Sequence, residues 1–270
     1  MKRSDKQEYW ALILGASSGF GEAASLKLAQ DGFNIFGVHL DRQATMHNVD
    51  RIVNEIISNG VEVEFFNVNA ADEFKRNEVL SSIKNKLGNK PLIKVIMHSL
   101  AFGTLKPFVS FKDEQTINKA QIEMTLDVMA HSLVYWVQDV VKNNLLARNA
   151  RIFAMTSSGG HSAIPYYGAV SAAKASLESH VRQLAVELGP MGAAVNSIMA
   201  GVTDTPALRK IPGNVEMINM AKRKNPRGRL TTPEDVAKVI SLICKDGGEW
   251  ISGGLIHADG GEDIVNYVEK

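Results

Sequence analysis

Apolar residues in this chain arrive in short solid blocks, separated by longer stretches in which they recur every three or four positions. The blocks at 10–14, 34–40, 61–67, 92–98, 151–156, 193–199 and 255–257 read as strands. The stretches at 21–30, 44–58, 72–87, 121–144, 167–188 and 233–245 carry helical spacing. Runs such as ALIL and IKVIM are apolar at every position, as in strands whose two faces are both covered by helices. Strand and helix alternate along the chain, which predicts an α/β fold: a doubly wound parallel sheet in a single domain. Residues 202–230 break the rhythm with Pro, Gly and basic residues. An excursion of that length at the carboxyl end of a strand is where a substrate lid forms.

Composition narrows the picture. A length of 270 residues allows one large domain or two small ones, and no linker, repeat or composition shift marks a second. With 45% apolar and 22% charged residues, collagen-like and disordered chains are excluded. Thirty Lys and Arg against twenty-nine Asp and Glu leave a net charge of +1, so no global charge recruits nucleic acid. Cys244 stands alone, which excludes an internal disulfide and a cysteine-rich zinc site. No apolar stretch reaches the roughly 20 residues that span a bilayer. The expectation is a cytoplasmic protein with no membrane contact and no metal.

The first strand block runs into GASSGFG, with Gly15, Gly19 and Gly21, and then into a helix. Glycines at such a turn permit a tight bend and let backbone N–H groups and the positive helix end approach a pyrophosphate. With a strand before it and the alternating rhythm after it, the turn points to a dinucleotide. Its GxxxGxG spacing resembles that of the short-chain dehydrogenase/reductase family, and the resemblance covers essentially the whole chain. It implies a Rossmann-like domain in which Ser17 and Ser18 lie at the adenosine end and the amides around Phe20 meet the phosphates. Asn69 and Ala70, after the third strand, are implied to hold the adenine edge.

Cofactor type is written at the end of the second strand, where an acid accepts from a ribose 2′-hydroxyl and a cation favours a 2′-phosphate. There the chain reads His39, Leu40, Asp41, Arg42. His39 falls where NAD-preferring relatives carry their acid, and Asp41 and Arg42 follow it, also readable as a solvated pair. The signals conflict. The expectation is NADPH or NADH, tilted to NADPH because His39 and Arg42 both suit a phosphate.

The segment TSSGGHSAIPYYGAVSAAKASLE, residues 156–178, is the richest in chemistry. Ordinary members of the family carry a Tyr four residues before the active-site Lys, but four before Lys174 stands Val170. Tyr167 stands seven before it, and seven steps of about 100° return a helix to nearly the same face, roughly 4.5 Å along the axis from Val170. Tyr166 falls off that face. The Tyr-x6-Lys spacing, with AIPYYG before it and AKASLE after it, resembles the enoyl-acyl carrier protein reductases, and among them the type III branch. The resemblance implies hydride transfer from NAD(P)H to C3 of a trans-2-enoyl thioester in fatty acid synthesis. Tyr167 would stabilise the enolate oxygen, while Lys174 would hold the nicotinamide ribose and lower the phenol's pKa. Ser157 matches the family's catalytic Ser. It also occupies the position where many enoyl reductases carry a second Tyr.

After the fourth strand the chain reads MHSLAFG, similar to the HSIAFA turn of bacterial enoyl reductases, which places Ser99, Leu100 and Ala101 beside the cofactor. His98 reads as part of that turn or as a buried core histidine. Asp127 falls where ordinary members carry a helix-breaking Asn, with an implied role in ordering water or helix backbone. MAGVTDT, residues 199–205, resembles the segment that meets the nicotinamide carboxamide and phosphates, through Gly201, the Val202 backbone, Thr203 and Thr205. Beyond it, Met217 and Met220 suit an acyl channel or ordinary packing.

Lys222, Arg223, Lys224, Arg227 and Arg229 form a dense basic cluster, suited to an acidic acyl carrier protein and equally to a solvated face. The helices at 121–144 and 167–188 resemble the pair that builds a homotetramer. Two other readings remain open: a 3-ketoacyl or hydroxysteroid-type dehydrogenase, against which the missing Tyr at 170 counts, and a non-catalytic NAD(P)-sensing protein, against which the Tyr167–Lys174 pair counts.

Overall fold

The computed structural model describes residues 8–111 and 115–266; the polar opening stretch 1–7 lies outside them. A seven-stranded parallel sheet forms the centre, with β1 (Trp10–Leu14), β2 (Asn34–His39), β3 (Val63–Asn67), β4 (Ile93–His98), β5 (Leu146–Thr156), β6 (Ala194–Ala200) and β7 (Leu255–Ala258). The strand order is β3-β2-β1-β4-β5-β6-β7. The chain folds as a single α/β domain of Rossmann-like topology. The order reverses between β1 and β4, and the carboxyl ends there open the crevice in which such sheets bind ligands.

Alternation along each strand feeds two cores. Trp10, Leu12 and Leu14 face one layer, packed on helices α3 (Glu73–Leu87), α5 (Ser132–Lys142) and α6 (Gly168–Leu188). Ala11 and Ile13 face the other, with α1 (Gly19–Gln30), α2 (Met46–Ser58) and α8 (Pro233–Ile243). This double coverage is why the central strands read as solid apolar blocks. Helix starts follow local capping chemistry. Asp72 accepts from the Lys75 amide at α3, and reciprocal boxes pair Asn118 with Gln121 at α4 (Lys119–Leu126) and Thr232 with Asp235 at α8.

Three elements depart from the expected boundaries. The stretch 121–144 is not one helix: α4 and α5 are joined by a π-helical turn at Asp127–His131. Thr125 donates to Gln121 O and Ser132 to Val128 O, and hydroxyls that bond back to carbonyls four residues earlier loosen the helical ladder there. β5 starts at Leu146, not 151, because Asn149 in a left-handed conformation hides the first half of the strand from the apolar pattern. Within the 202–230 excursion lies an unforeseen helix, α7 (Asn214–Lys224). Of its residues only Ala221 is buried, while Val215 and Met220 are exposed, so it has no apolar face to read. No helix among the described residues is long and apolar enough to cross a membrane.

Candidate active site

The glycine turn leaves β1 at the switch point. Gly15 takes φ +90°, and a Cβ there would stand 2.6 Å from Ser99 O, so the turn after β1 and the turn after β4 touch backbone to backbone. A Cβ on Gly21 would meet Gly15 O at 2.0 Å, which fixes the close approach of α1 to the turn. Ser18 precedes α1 in an extended conformation and makes no side-chain capping bond. The first-turn amides around Phe20 are therefore left for an outside acceptor, as a pyrophosphate requires. The Thr205 methyl would lie 3.4 Å from a Cβ on Gly19, which brings the start of the 202–230 excursion against this turn.

At the adenosine end, Asp41 gathers the polar groups. It bonds His39 Nδ1 at 2.9 Å and accepts from Thr45 at 2.7 Å, with the Ser17 hydroxyl beside it. Partial burial pushes its pKa up, but hydrogen bonds from Ser17, Thr45 and His39 outweigh burial and hold the carboxyl below its ordinary value. His39 does not present itself to a phosphate as expected. Its ring is buried between Phe65 and Asp41, because the last residue of a fully covered strand points inward. Arg42 stays at the surface of the turn. Asn69 accepts from the Ala71 amide in a turn, and Ala70 O accepts from Trp136 Nε1, which ties that loop to α5.

Lys174 and Tyr167 both lie at the carboxyl end of β5, Lys174 against the Met155 carbonyl and Tyr167 against Gly159 and Ser157. Lys174 is 6% exposed and donates from Nζ to Met155 O at 2.7 Å, leaving two N–H donors. Burial lowers its pKa to about 8, opposed by the charge of Glu178. Tyr167, expected as the first residue of the helix, sits instead at the N-cap of α6, one residue before it, with its carbonyl already accepting from Ser171 N. Its ring lies against Gly159, where a Cβ would meet it at 2.6 Å. Burial raises the phenol's pKa and the Ser157 hydroxyl partly offsets this. The expected lowering by Lys174 is absent, since that cation is turned to the Met155 carbonyl. Ser157 Oγ is buried beside the phenol but makes no hydrogen bond of ordinary geometry. Val170 is buried and would crowd a Cβ on Gly103, so the ordinary Tyr position is packed core.

His98 is fully buried, with Nε2 2.8 Å from Ser132 Oγ. The Ser132 proton goes to Val128 O, so Nε2–H is the donor and Nδ1 is bare and unpartnered. Burial, then the Lys174 charge, drive its pKa down to about 3, which leaves a neutral ring that anchors the π-helical turn. Burial, and then the nearby Asp127 carboxylate, raise the pKa of the Tyr135 phenol, a proximity the sequence pattern did not show. Among the nicotinamide-side residues, Leu100 packs near Gly15, Ala101 is exposed and Thr203 donates to Gly201 O. The Val202 amide is already taken by Glu262 Oε1 at 3.0 Å, which leaves its carbonyl as the expected backbone contact.

Glu262 and Glu178 were missed as site residues. Glu178 lies one turn after Lys174, a spacing that places the two on one face and that the sequence displayed. Glu262 is far from the site in sequence and carried no such signal.

The assembled site can hold a dinucleotide across the switch point, with a fixed cation and a protonated phenol at one end. A family model described as "Enoyl-(Acyl carrier protein) reductase" matches residues 15–262. The uncharacterized oxidoreductase YjdA of Bacillus subtilis is 30% identical over 260 residues, 96% of this chain and 98% of that one. The 3-oxoacyl-[acyl-carrier-protein] reductase FabG of Thermotoga maritima is 27% identical over 250 residues, 93% and 96% of the two chains. The enoyl-[acyl-carrier-protein] reductase [NADH] FabI of Aquifex aeolicus is 28% identical over 173 residues, 64% and 63% of the two chains. A crystal structure of enoyl-[acyl-carrier-protein] reductase (NADH) from that organism shares the fold at a TM-score of 0.82 and 22% identity, covering 96% of this chain and 98% of that one. With the model matched across nearly its whole length, the chain belongs to the short-chain dehydrogenase/reductase family and is an oxidoreductase of that family.

Proposed function

We propose that this protein is an enoyl-acyl carrier protein reductase of fatty acid synthesis, acting in the cytoplasm. The observation that carries the reading is the phenol of Tyr167 at the N-cap of α6, seven residues before buried Lys174, while Val170 fills the position a ketone-reducing Tyr would need. Reduction at C3 of the trans-2-enoyl thioester draws on the hydride that NADH or NADPH would supply when held by the glycine turn and Lys174. Negative charge then develops on the thioester oxygen, and Tyr167, kept protonated by burial, donates its hydrogen bond there. The C3–H bond forms as the C2=C3 π pair moves into the enolate, and a solvent proton at C2 completes the saturated thioester. Lys174 directs its two remaining donors at the nicotinamide ribose. Ser157, unpartnered beside the phenol, orients the substrate carbonyl.

The Asp41 carboxylate beside Ser17 favours NADH, since an anion there accepts from a 2′-hydroxyl and repels a 2′-phosphate. Residues 202–230 form the lid, and its basic cluster faces the carrier protein. α5 and α6 build a homotetramer, which light scattering tests. The function itself is tested by following NADH and NADPH absorbance with enoyl and 3-ketoacyl thioesters. Enoyl turnover that falls at least ~100-fold in Tyr167→Phe supports the reading. Turnover of the ketoacyl substrate alone defeats it.

A further inference from the structure

Lys174 is the only cation among the described residues seated at the junction of β4, β5 and α6, and its surroundings are unevenly charged. From β5 comes the Met155 carbonyl, at 2.7 Å from Nζ. From β4 comes His98, neutral and fully buried. From α6 come the uncharged Tyr167 phenol and, one turn on from Lys174, Glu178. Glu178 is not a loose surface acid. Thr156, the last residue of β5, donates to its Oε1 at 2.6 Å, and a Cβ on Gly160 would stand 2.8 Å from that oxygen. The end of a β-strand therefore holds the carboxylate, in space a loop glycine leaves open, on the face of α6 that Lys174 occupies.

We propose that Glu178 is a positioning residue: its carboxylate, held by Thr156, is the counter-charge that keeps Lys174 an oriented cation for the nicotinamide ribose. This rests on the reading of Lys174 given above. The physical need is plain. An ammonium removed from water loses its hydration, and a single backbone carbonyl does not replace it. A fixed negative charge one helical turn away, beyond salt-bridge contact, restores the charged form without neutralising the donors, because it lies along the helix and not across the cofactor face. Nothing else charged among the groups facing Lys174 can do this.

The test is the NADH dissociation constant, read by fluorescence from pH 6.5 to 9.5, in the full-length wild type, Glu178→Gln, Glu178→Asp and Lys174→Met. Wild-type affinity should fall above pH ~8, as Lys174 loses its proton. In Glu178→Gln, which keeps an acceptor for Thr156, the fall should begin about one pH unit lower, with several-fold weaker binding at pH 8. Glu178→Asp should track the wild type. An even weakening of Glu178→Gln at every pH, or a curve that coincides with the wild type, overturns the proposal. Lys174→Met should bind weakly and without pH dependence. If it binds as the wild type does, the placement of Lys174 at the cofactor fails and the proposal falls with it, whereas coincident wild-type and Gln curves beside a weak Met variant defeat Glu178 alone. Should Glu178→Gln not fold, Thr156→Val unlocks the carboxylate and must move the fall in the same direction; no movement overturns the proposal.

Discussion

A buried cation costs stability, and replacing Lys174 with methionine should reveal how much. Burial takes the Lys174 pKa from 10.5 to about 8. At about 1.4 kcal/mol per unit, that is roughly 3 kcal/mol carried against the cofactor-free fold at neutral pH. Methionine fills the space of the aliphatic stem but gives up the bond to Met155 O, worth about 1 kcal/mol. The net expectation for Lys174→Met is a gain of about 2 kcal/mol, or about 4–8 °C in melting temperature for a chain of this size. The sign with pH follows from a lowered folded-state pKa on a base. The burden is complete below pH ~8, is relieved between about 8 and 10.5 as the native state sheds its proton first, and vanishes above that. Thermal melts without cofactor should therefore show the variant ahead at pH 7 and its lead shrinking by pH 10. With NADH at about 100 times its dissociation constant, the wild type regains about 2.7 kcal/mol and the order should reverse. A variant that melts below the wild type at pH 7, or a difference that does not change with pH, refutes the reasoning.

Restoring the ordinary Tyr spacing should fail: Val170→Tyr forces a ring into packed core against Gly103 and should cost about 1–3 kcal/mol by chemical denaturation without yielding ketoacyl turnover. A stable variant that reduces ketoacyl substrates would contradict the packing account. Asp41→Asn should narrow the ratio of NADH to NADPH affinity by about tenfold, and an unchanged ratio in titrations would remove Asp41 from cofactor choice. Reversing the charges of Lys222 and Arg227 should raise KM several-fold for a carrier-bound enoyl substrate at low salt and barely alter it for a coenzyme A thioester. Equal effects on both substrates would leave the cluster a solvated face.

Legibility divided along physical lines. Wherever burial was two-sided, as in β1 and β4, solid apolar blocks revealed both the strand and its cover on two faces. The glycine turn was legible because Gly15 and Gly21 answer to backbone contacts that no other residue permits. The helix α7 was not legible, since a helix resting on one buried alanine leaves no periodic trace. The π-helical turn escaped for a related reason: Thr125 and Ser132 act through hydroxyl bonds to carbonyls, and hydropathy does not register them. His39 was misjudged because its position along the chain was known and its direction was not. A strand end can point a side chain to ligand or to core, and here Phe65 and Asp41 take the ring inward.

The spacing of Tyr167 and Lys174 was reasoned as seven steps along a helix, yet the phenol stands at the cap, where the helix has not quite begun. The arithmetic survives because Tyr167 O accepts from Ser171 N, so the backbone has already joined the spiral while the side chain is free of the first turn. What aims the ring is the approach to it. Tyr166 is held at φ +65°, a left-handed conformation that costs a bulky residue about 1–3 kcal/mol. That turn delivers Tyr167 against Gly159, whose missing side chain leaves the slot the ring occupies, while Gly160 leaves room for Glu178. Adjacent glycines thus leave the space taken by the Tyr167 ring and the Glu178 carboxylate. An extra methyl at Gly159 would strike the ring and at Gly160 the carboxylate. The position of the phenol is therefore set by a strained turn and a glycine slot, and the helix period only permits it.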